Sequence, residues 1–267
     1  MNSAGRLNEV FTALRYSDPI AHAVAISGSE SVNAAWLSAF GIELQERHEL
    51  DDAVADCTQA TRAELAILRS TLLGLGVSQD IVDRMCYGLR DVTASKHFEA
   101  SSRAWRESIN VEYITALSWA SALLDVVDKE GSNEAMPDLA PLLAQADELL
   151  ASVESSSLPP ITKEFMLANL RRMRHALRKA RVAGMKPIVE AWQTASGTTD
   201  DERQNVKDEM AVAPTEAREQ AARCGSFFQR VRSTITATAK SAKEIGSIAD
   251  SGTKLVEFIG EVFEALP

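Results

Sequence analysis

From Phe228 to the end of the chain, Val231, Ile235, Thr238, Ala242, Ile245, Ala249, Gly252, Val256, Ile259, Phe263 and Leu266 follow one another in steps of three and four. This is the heptad seam of one long helix, the pattern of a coiled coil. The positions beside the seam, where a two-stranded coil carries Glu and Lys, hold Thr234, Ala239, Ser241, Gly246, Ile248, Thr253, Leu255, Gly260 and Val262. Charges lie on the far side, at Lys240, Lys243, Glu244, Asp250, Lys254, Glu257, Glu261 and Glu264. A helix with so wide an apolar face must bury more than half its girth in a bundle, against another copy or in a membrane interface. Its small residues, Gly246, Ala249 and Gly252 among them, let a neighbouring backbone approach closely. A spanning segment needs about 20 residues nearly free of charge, which 234–266 does not provide. The reading is therefore a packed or self-associating helix, with engagement of a bilayer surface as its rival.

Helix is also what the rest of the chain favours. Thirteen glycines and eight prolines in 267 residues are few breakers, and 45% hydrophobic residues suffice for a core, which excludes disorder. Helical periodicity covers 2–16, 30–44, 65–72, 78–89, 95–128, 138–153, a basic helix that Gly184 closes as C-cap, a short helix from Pro187 through Trp192, and 200–210, and no alternating run marks a strand. In 95–128 one helix would turn Phe98, Ser102, Trp105, Ile109, Tyr113, Ala116, Ala120, Leu123 and Val127 inward. Trp36, Trp105, Trp119 and Trp192 all fall on apolar faces, where core packing is expected. The fold class is all-α, a bundle of antiparallel helical hairpins ending in a long amphipathic helix. The polar stretch 129–137 divides an N-terminal region, 1–131, from a C-terminal one, 137–267, unless the two form one continuous domain.

A net charge of −10 opposes general binding to nucleic acid. Against that average, Lys163, Arg171, Arg172, Arg174, Arg178, Lys179, Arg181 and Lys186 crowd one segment that holds a single acid, Glu164. Arg171, Arg174, His175, Arg178 and Arg181 form a candidate basic stripe able to grip phosphates or a carboxylate-rich partner. The preceding segment, 125–154, holds Asp125, Asp128, Glu130, Glu134, Asp138, Asp147, Glu148 and Glu154 against Lys129 alone. A hairpin would pair the two, which is the preferred reading; an acidic protein partner or a nucleotide is the alternative.

The stretch Leu158, Pro159, Lys163, Phe165, Leu167, Leu170, Arg174, Ala176, Leu177, followed by Arg181 and Gly184, resembles a pattern found in uncharacterised all-helical bacterial proteins. The resemblance spans about 30 residues and implies a bacterial origin and a helical fold, but no activity.

His22, His48, His97 and His175 are scattered, and only His48 with Asp51 and Asp52 puts ligand types on one helical face, so no metal is expected. Cys57, Cys86 and Cys224 form no CxxC pair, which speaks for core thiols in a reducing cytoplasm rather than for disulfides or a nucleophile beside His97. Gly74-Leu75-Gly76 and Ser251-Gly252-Thr253-Lys254 lack the order of a phosphate loop. The first 14 residues carry Arg6 and Glu9 and no signal-peptide core, and the apolar stretch 19–42 is broken by Gly28, Ser29, Glu30, Ser31 and Asn33.

The functional expectation is a non-catalytic helical interaction or oligomerisation protein, cytoplasmic or peripheral to the membrane, without cofactor. Its contact elements are the basic stripe and the terminal seam: Ile235, Ala242, Ile245, Ala249, Gly252, Val256, Ile259 and Phe263. The alternative is a membrane-acting effector of toxin or defence type whose terminal helix engages a bilayer when released. An enzyme with a site lacking any motif is the third reading.

Overall fold

The periodicities become helices through local signals at their ends. In a computed structural model, which describes residues 1–16, 31–42, 49–94, 97, 102–127, 137–197 and 199–238, eleven α-helices and no strand are found among the described residues. They are α1 (Ser3–Tyr16), α2 (Val32–Phe40), α3 (Leu50–Gly74), α4 (Gln79–Val92), α5 (Ser102–Ser108), α6 (Val111–Val127), α7 (Ala140–Ser155), α8 (Pro160–Ala183), α9 (Lys186–Ser196), α10 (Asp200–Ala211) and α11 (Thr215–Thr238). The chain is thus an all-α, multi-helix protein. It forms two units: Met1–Met136 with Arg178–Gly184, and Pro137–Leu177 with Met185–Pro267.

In the first unit α1 is the hub, packing on α2, α3, α5 and α6. Leu7, Val10, Phe11 and Leu14 repeat at helical spacing and are wholly buried. Asn2 Nδ2 donates to Ser121 O, while Arg15 Nη1 donates to the carbonyls of Arg106 and Ile109, so α1 and α6 run antiparallel. The short α2 is held at both ends. Ser31 Oγ accepts from Ala34 N, and Gly41, in the left-handed region at φ 64°, closes the C-terminus as Ile42 N reaches Leu37 O. Its Trp36 meets Phe40 and Trp105 at ring-centroid distances of 6.0 and 6.1 Å. Arg62 on α3 donates to the Thr93 hydroxyl and carbonyl, fixing the end of α4.

The unit is completed by residues from far along the chain. Arg6 donates through Nε to Val182 O, through Nη1 to Met1 O and through Nη2 to Glu64 Oε1. Lys179 Nζ lies 3.2 Å from Asp56 Oδ1. Gly184 has φ +70°, beside the Arg6 guanidinium, and the backbone freedom of glycine suits that left-handed conformation.

The single helix expected over 95–128 is instead two among the described residues, α5 and α6. Asn110 makes the break: its Oδ1 accepts from Glu112 N, capping α6 and restarting the backbone ladder. The restart shifts the helical phase. The buried face is Ile114, Leu117, Ala120 and Leu124, not the one through Tyr113, Ala116, Leu123 and Val127.

In the second unit α11 packs on α7 and α9. Phe227, Phe228, Val231 and Ile235 are buried, with Phe227 edge-on to Phe228 at 5.3 Å and Trp192 at 6.4 Å from Phe228. The inner face of α8 is Met166, Leu170, Met173 and Leu177. Pro160 opens that helix, and Glu209 supplies what its free N–H groups need, accepting from Ile161 N, Thr162 N and Thr162 Oγ1. Thr199 and Glu202 form a reciprocal capping box on α10. Lys163 Nζ caps the last carbonyls of α7, at Glu154 and Ser156.

Two tests follow from this packing. A methyl at Gly88 on α4 would press on the Tyr113 ring, whose hydroxyl oxygen would be 2.8 Å away. Gly88→Ala should therefore lower stability by about 1–3 kcal/mol through overpacking, despite the helix propensity of Ala. Combining it with Tyr113→Ala should relieve that cost, as a double-mutant cycle in urea would show. At Glu209, burial pushes the carboxyl up, but the hydrogen bonds from Thr162 and Ile161 outweigh it and hold it below its ordinary value of 4.5. Its contribution is then full above 4.5 and lost as pH falls through the lowered value. Glu209→Ala should cost about 1 kcal/mol at neutral pH, and the gap to the native chain should close on acidification.

Candidate functional site

The basic stripe is divided among different surroundings. Arg171 Nη2 pairs with Glu154 Oε1 at 2.7 Å, both half exposed. Arg174 Nη1 stands 3.5 Å from Asp147 Oδ1, and there both side chains are nearly buried, at 12% and 11% exposure. Arg223 reaches Glu148 Oε1 at 2.9 Å. Three acids of the segment preceding α8 are thus met by arginines within the second unit. Arg178 belongs to the first unit and is 1% exposed. Its charge acts on the neighbouring Cys57, whose thiol burial nonetheless pushes far above its ordinary value. Arg181, exposed, belongs to the first unit as well, its Nη1 close over Gly41, while His175 is half buried. The five residues share a helix but not a common exposed surface.

The start of the terminal seam is core. Phe228, Val231 and Ile235 face α7 and α9 inside their unit. Ala242, Ile245, Ala249, Gly252, Val256, Ile259 and Phe263 lie outside the described residues, as do His22, His48 and the 251–254 stretch. Among the described residues no group of three His, Cys, Asp or Glu side chains could hold a metal ion. The three cysteines are buried, and desolvation raises Cys86 to about 11 and Cys224 to about 12, the latter despite the charge of Arg223, so neither offers a thiolate near neutral pH. A groove of about 460 Å³ runs beside Phe165, Asn169, Arg172 and Val206, but its polar groups serve each other: Arg172 Nη1 donates to Asn169 Oδ1, and Asn169 Nδ2 to Phe165 O.

Among the apolar side chains turned outward, those of α6 form a stripe along one helix face. The buried face of α6, Ile114, Leu117, Ala120 and Leu124, packs on α1 and α4. Directly opposite, at successive helical turns, stand Val111, Thr115, Trp119, Ala122 and Val126, all exposed. Trp119 is 57% and Val126 64% exposed, and Val127 and Tyr16 are open as well. A helix on a protein surface ordinarily carries its charges on that outer face. Here the only charges are Glu112 and Asp125, on the two flanks of the stripe.

Three tryptophans, Trp36, Trp105 and Trp192, are core as expected. Trp119 is not, because the restart at Asn110 rotates it away from α1. The sequence did hold a signal: 111–127 contains only two charged residues in 17, and Val111, Trp119 and Val126 fall opposite the side of Leu117, which one buried face cannot explain. No described helix is long and apolar enough to cross a membrane. No protein-family model matches this chain, and no curated protein or solved structure is similar to it.

The two arginine pairs differ in what their loss should do. Arg171→Ala should change stability by about 0.5 kcal/mol or less, since both partners stay hydrated. Arg174→Ala removes the cation 3.5 Å from the nearly buried Asp147 and should cost about 3 kcal/mol. Chemical denaturation of the two variants at neutral pH checks the contrast, and equal losses would contradict it.

Proposed function

We propose that this protein is a non-catalytic helical interaction protein, with the outer face of α6 as its contact surface. The observation that carries the proposal is the stripe from Val111 to Val126, an apolar helix face turned to solvent with Trp119 at its middle. Contiguous exposed apolar surface of this kind is uncommon on a monomer and is the usual mark of a contact site, and tryptophan is the side chain most enriched where such contacts concentrate energy. The terminal seam beyond Thr238 is the second proposed contact element, and a bilayer its alternative target. The basic stripe has a smaller part in this reading than its charge suggests, because Arg171 and Arg174 already have acidic partners within their unit. A bacterial, cytoplasmic setting rests on the resemblance of 158–184 and on the unpaired, buried cysteines.

The test is site-specific photo-crosslinking in the native cells. A benzoylphenylalanine at position 119 should give a discrete adduct, whether with a second protein or with another copy. The same group at Arg103, an exposed position on α5, should not. No adduct at 119, or the same adducts at both positions, would count against an interaction role for this face.

A further inference from the structure

The flanks of the α6 stripe say what kind of partner it fits. Val111, Thr115, Trp119, Ala122 and Val126 occupy one side of the helix, and the stripe is about 22 Å long at 1.5 Å per residue. At 100° per residue Glu112 falls on one edge of it and Asp125 on the other, both exposed, while α6 contains no Lys or Arg. Large and small side chains alternate along the ridge, with Trp119 between Thr115 and Ala122, so the surface offers one projecting ring with shallow space on either side along the axis.

From this charge pattern we infer that the occupant is an amphipathic helix whose apolar stripe is bordered by Lys or Arg. Two helices laid along each other pair their flanking residues as the edge positions of a coiled coil do, and opposite charges there set partner choice. A second copy of α6 fits poorly. A second α6 has no Lys or Arg to offer, so in neither an antiparallel nor a parallel pair do Glu112 and Asp125 meet a cation. A basic-edged helix meets acids on both sides, and the chain's net charge of −10 adds long-range attraction.

The inference rests on the reading of the α6 outer face as a contact surface, and the experiment separates the two. The full chain is titrated with three synthetic peptides of about 18 residues: a Leu-striped helix with Lys edges, the same stripe with Glu edges, and a scramble of the Lys peptide that has no stripe. Trp119 is the reporter, since Trp36, Trp105 and Trp192 are buried and out of reach of an aqueous quencher. The Lys-edged peptide should bind saturably, shift emission to the blue and protect against acrylamide, about fivefold tighter than the Glu-edged one at low salt. Trp119→Ser should abolish the reported shift and weaken binding measured by calorimetry, with the melting temperature kept, as befits an exposed position.

Glu112→Lys together with Asp125→Lys should invert the peptide preference. Because Asp125 also accepts from Asn2 Nδ2, Glu112→Lys alone is the second variant, and it should narrow the preference without touching that bond. Binding of the scramble as tightly as the striped peptide, or an unchanged preference in the Lys variants, would overturn the inference. A concentration-dependent dimer abolished by Trp119→Ser would also overturn it, while leaving the face a contact surface. Transfer of Trp119 fluorescence to vesicles of phosphatidylglycerol and phosphatidylcholine, with no peptide binding, would remove both the basic helix and the protein-contact reading in favour of lipid.

Discussion

The guanidinium of Arg6 holds the first unit together. It sits where three parts of the chain meet: the N-terminal residue through Met1 O, the long α3 through Glu64, and the far segment 178–184 through Val182 O. Glu64 is almost fully buried and Arg6 little less so. A carboxylate in such a place is tolerable only with a cation and full hydrogen bonding, and removing one partner of a buried pair typically costs about 3–5 kcal/mol. That energy belongs to specificity more than to net stability, since an apolar pair of like volume would fold as well. The pair fixes where Arg6 sits, and the segment that completes the unit meets it there through the Val182 carbonyl.

The same logic governs where the positive charge of α8 goes. Lys179 is drawn to Asp56, and Arg178 is buried within the first unit, while Arg174 and Arg171 meet Asp147 and Glu154 in the second. A helix that looks from its sequence like a recognition stripe is thereby largely neutralised by its own chain. Against that background α6, with its two acids, its exposed tryptophan and no basic residue, stands out, although it attracts no notice in a tally of charge.

Element formation was legible in the sequence wherever one helix face is apolar and its ends carry recognisable chemistry. Met166, Leu170, Met173 and Leu177 repeat at the helical period, and Gly184 stops the helix in the left-handed conformation glycine prefers. The break at Asn110 was not read, because Trp105 and Ile109 before it and Leu117 and Leu124 after it are all buried, and an apolar count passes through the cap without a gap. A single side-chain hydrogen bond, Glu112 N to Asn110 Oδ1, changed the phase and put Trp119 outside. Nor could periodicity foresee Arg6 with Val182 or Thr162 with Glu209: a repeat of three and four says which face is buried, but not against what. The candidate stripe failed as a single surface for that reason. Its residues were rightly placed on one helix, and the neighbours that cover Arg178 and Arg174 come from sequence positions no local pattern connects.

The exposure of Trp119 poses the question of why such a residue persists on a surface. Its ring makes no large contribution to the stability of the unit, since more than half of it is in water, and its neighbours along the stripe, Thr115 and Ala122, are too small to shelter it. Folding alone would be served better by Lys or Glu at 119, which favour helix, add solubility and cover the apolar ridge with their stems. Core demand is already met on the opposite side by Ile114, Leu117, Ala120 and Leu124. The side chain is therefore one that folding does not require, placed in the middle of a face that folding does not bury. A residue of that kind is most economically explained by contact with something beyond its own unit, and the acids on either edge of it favour a basic helix as that contact.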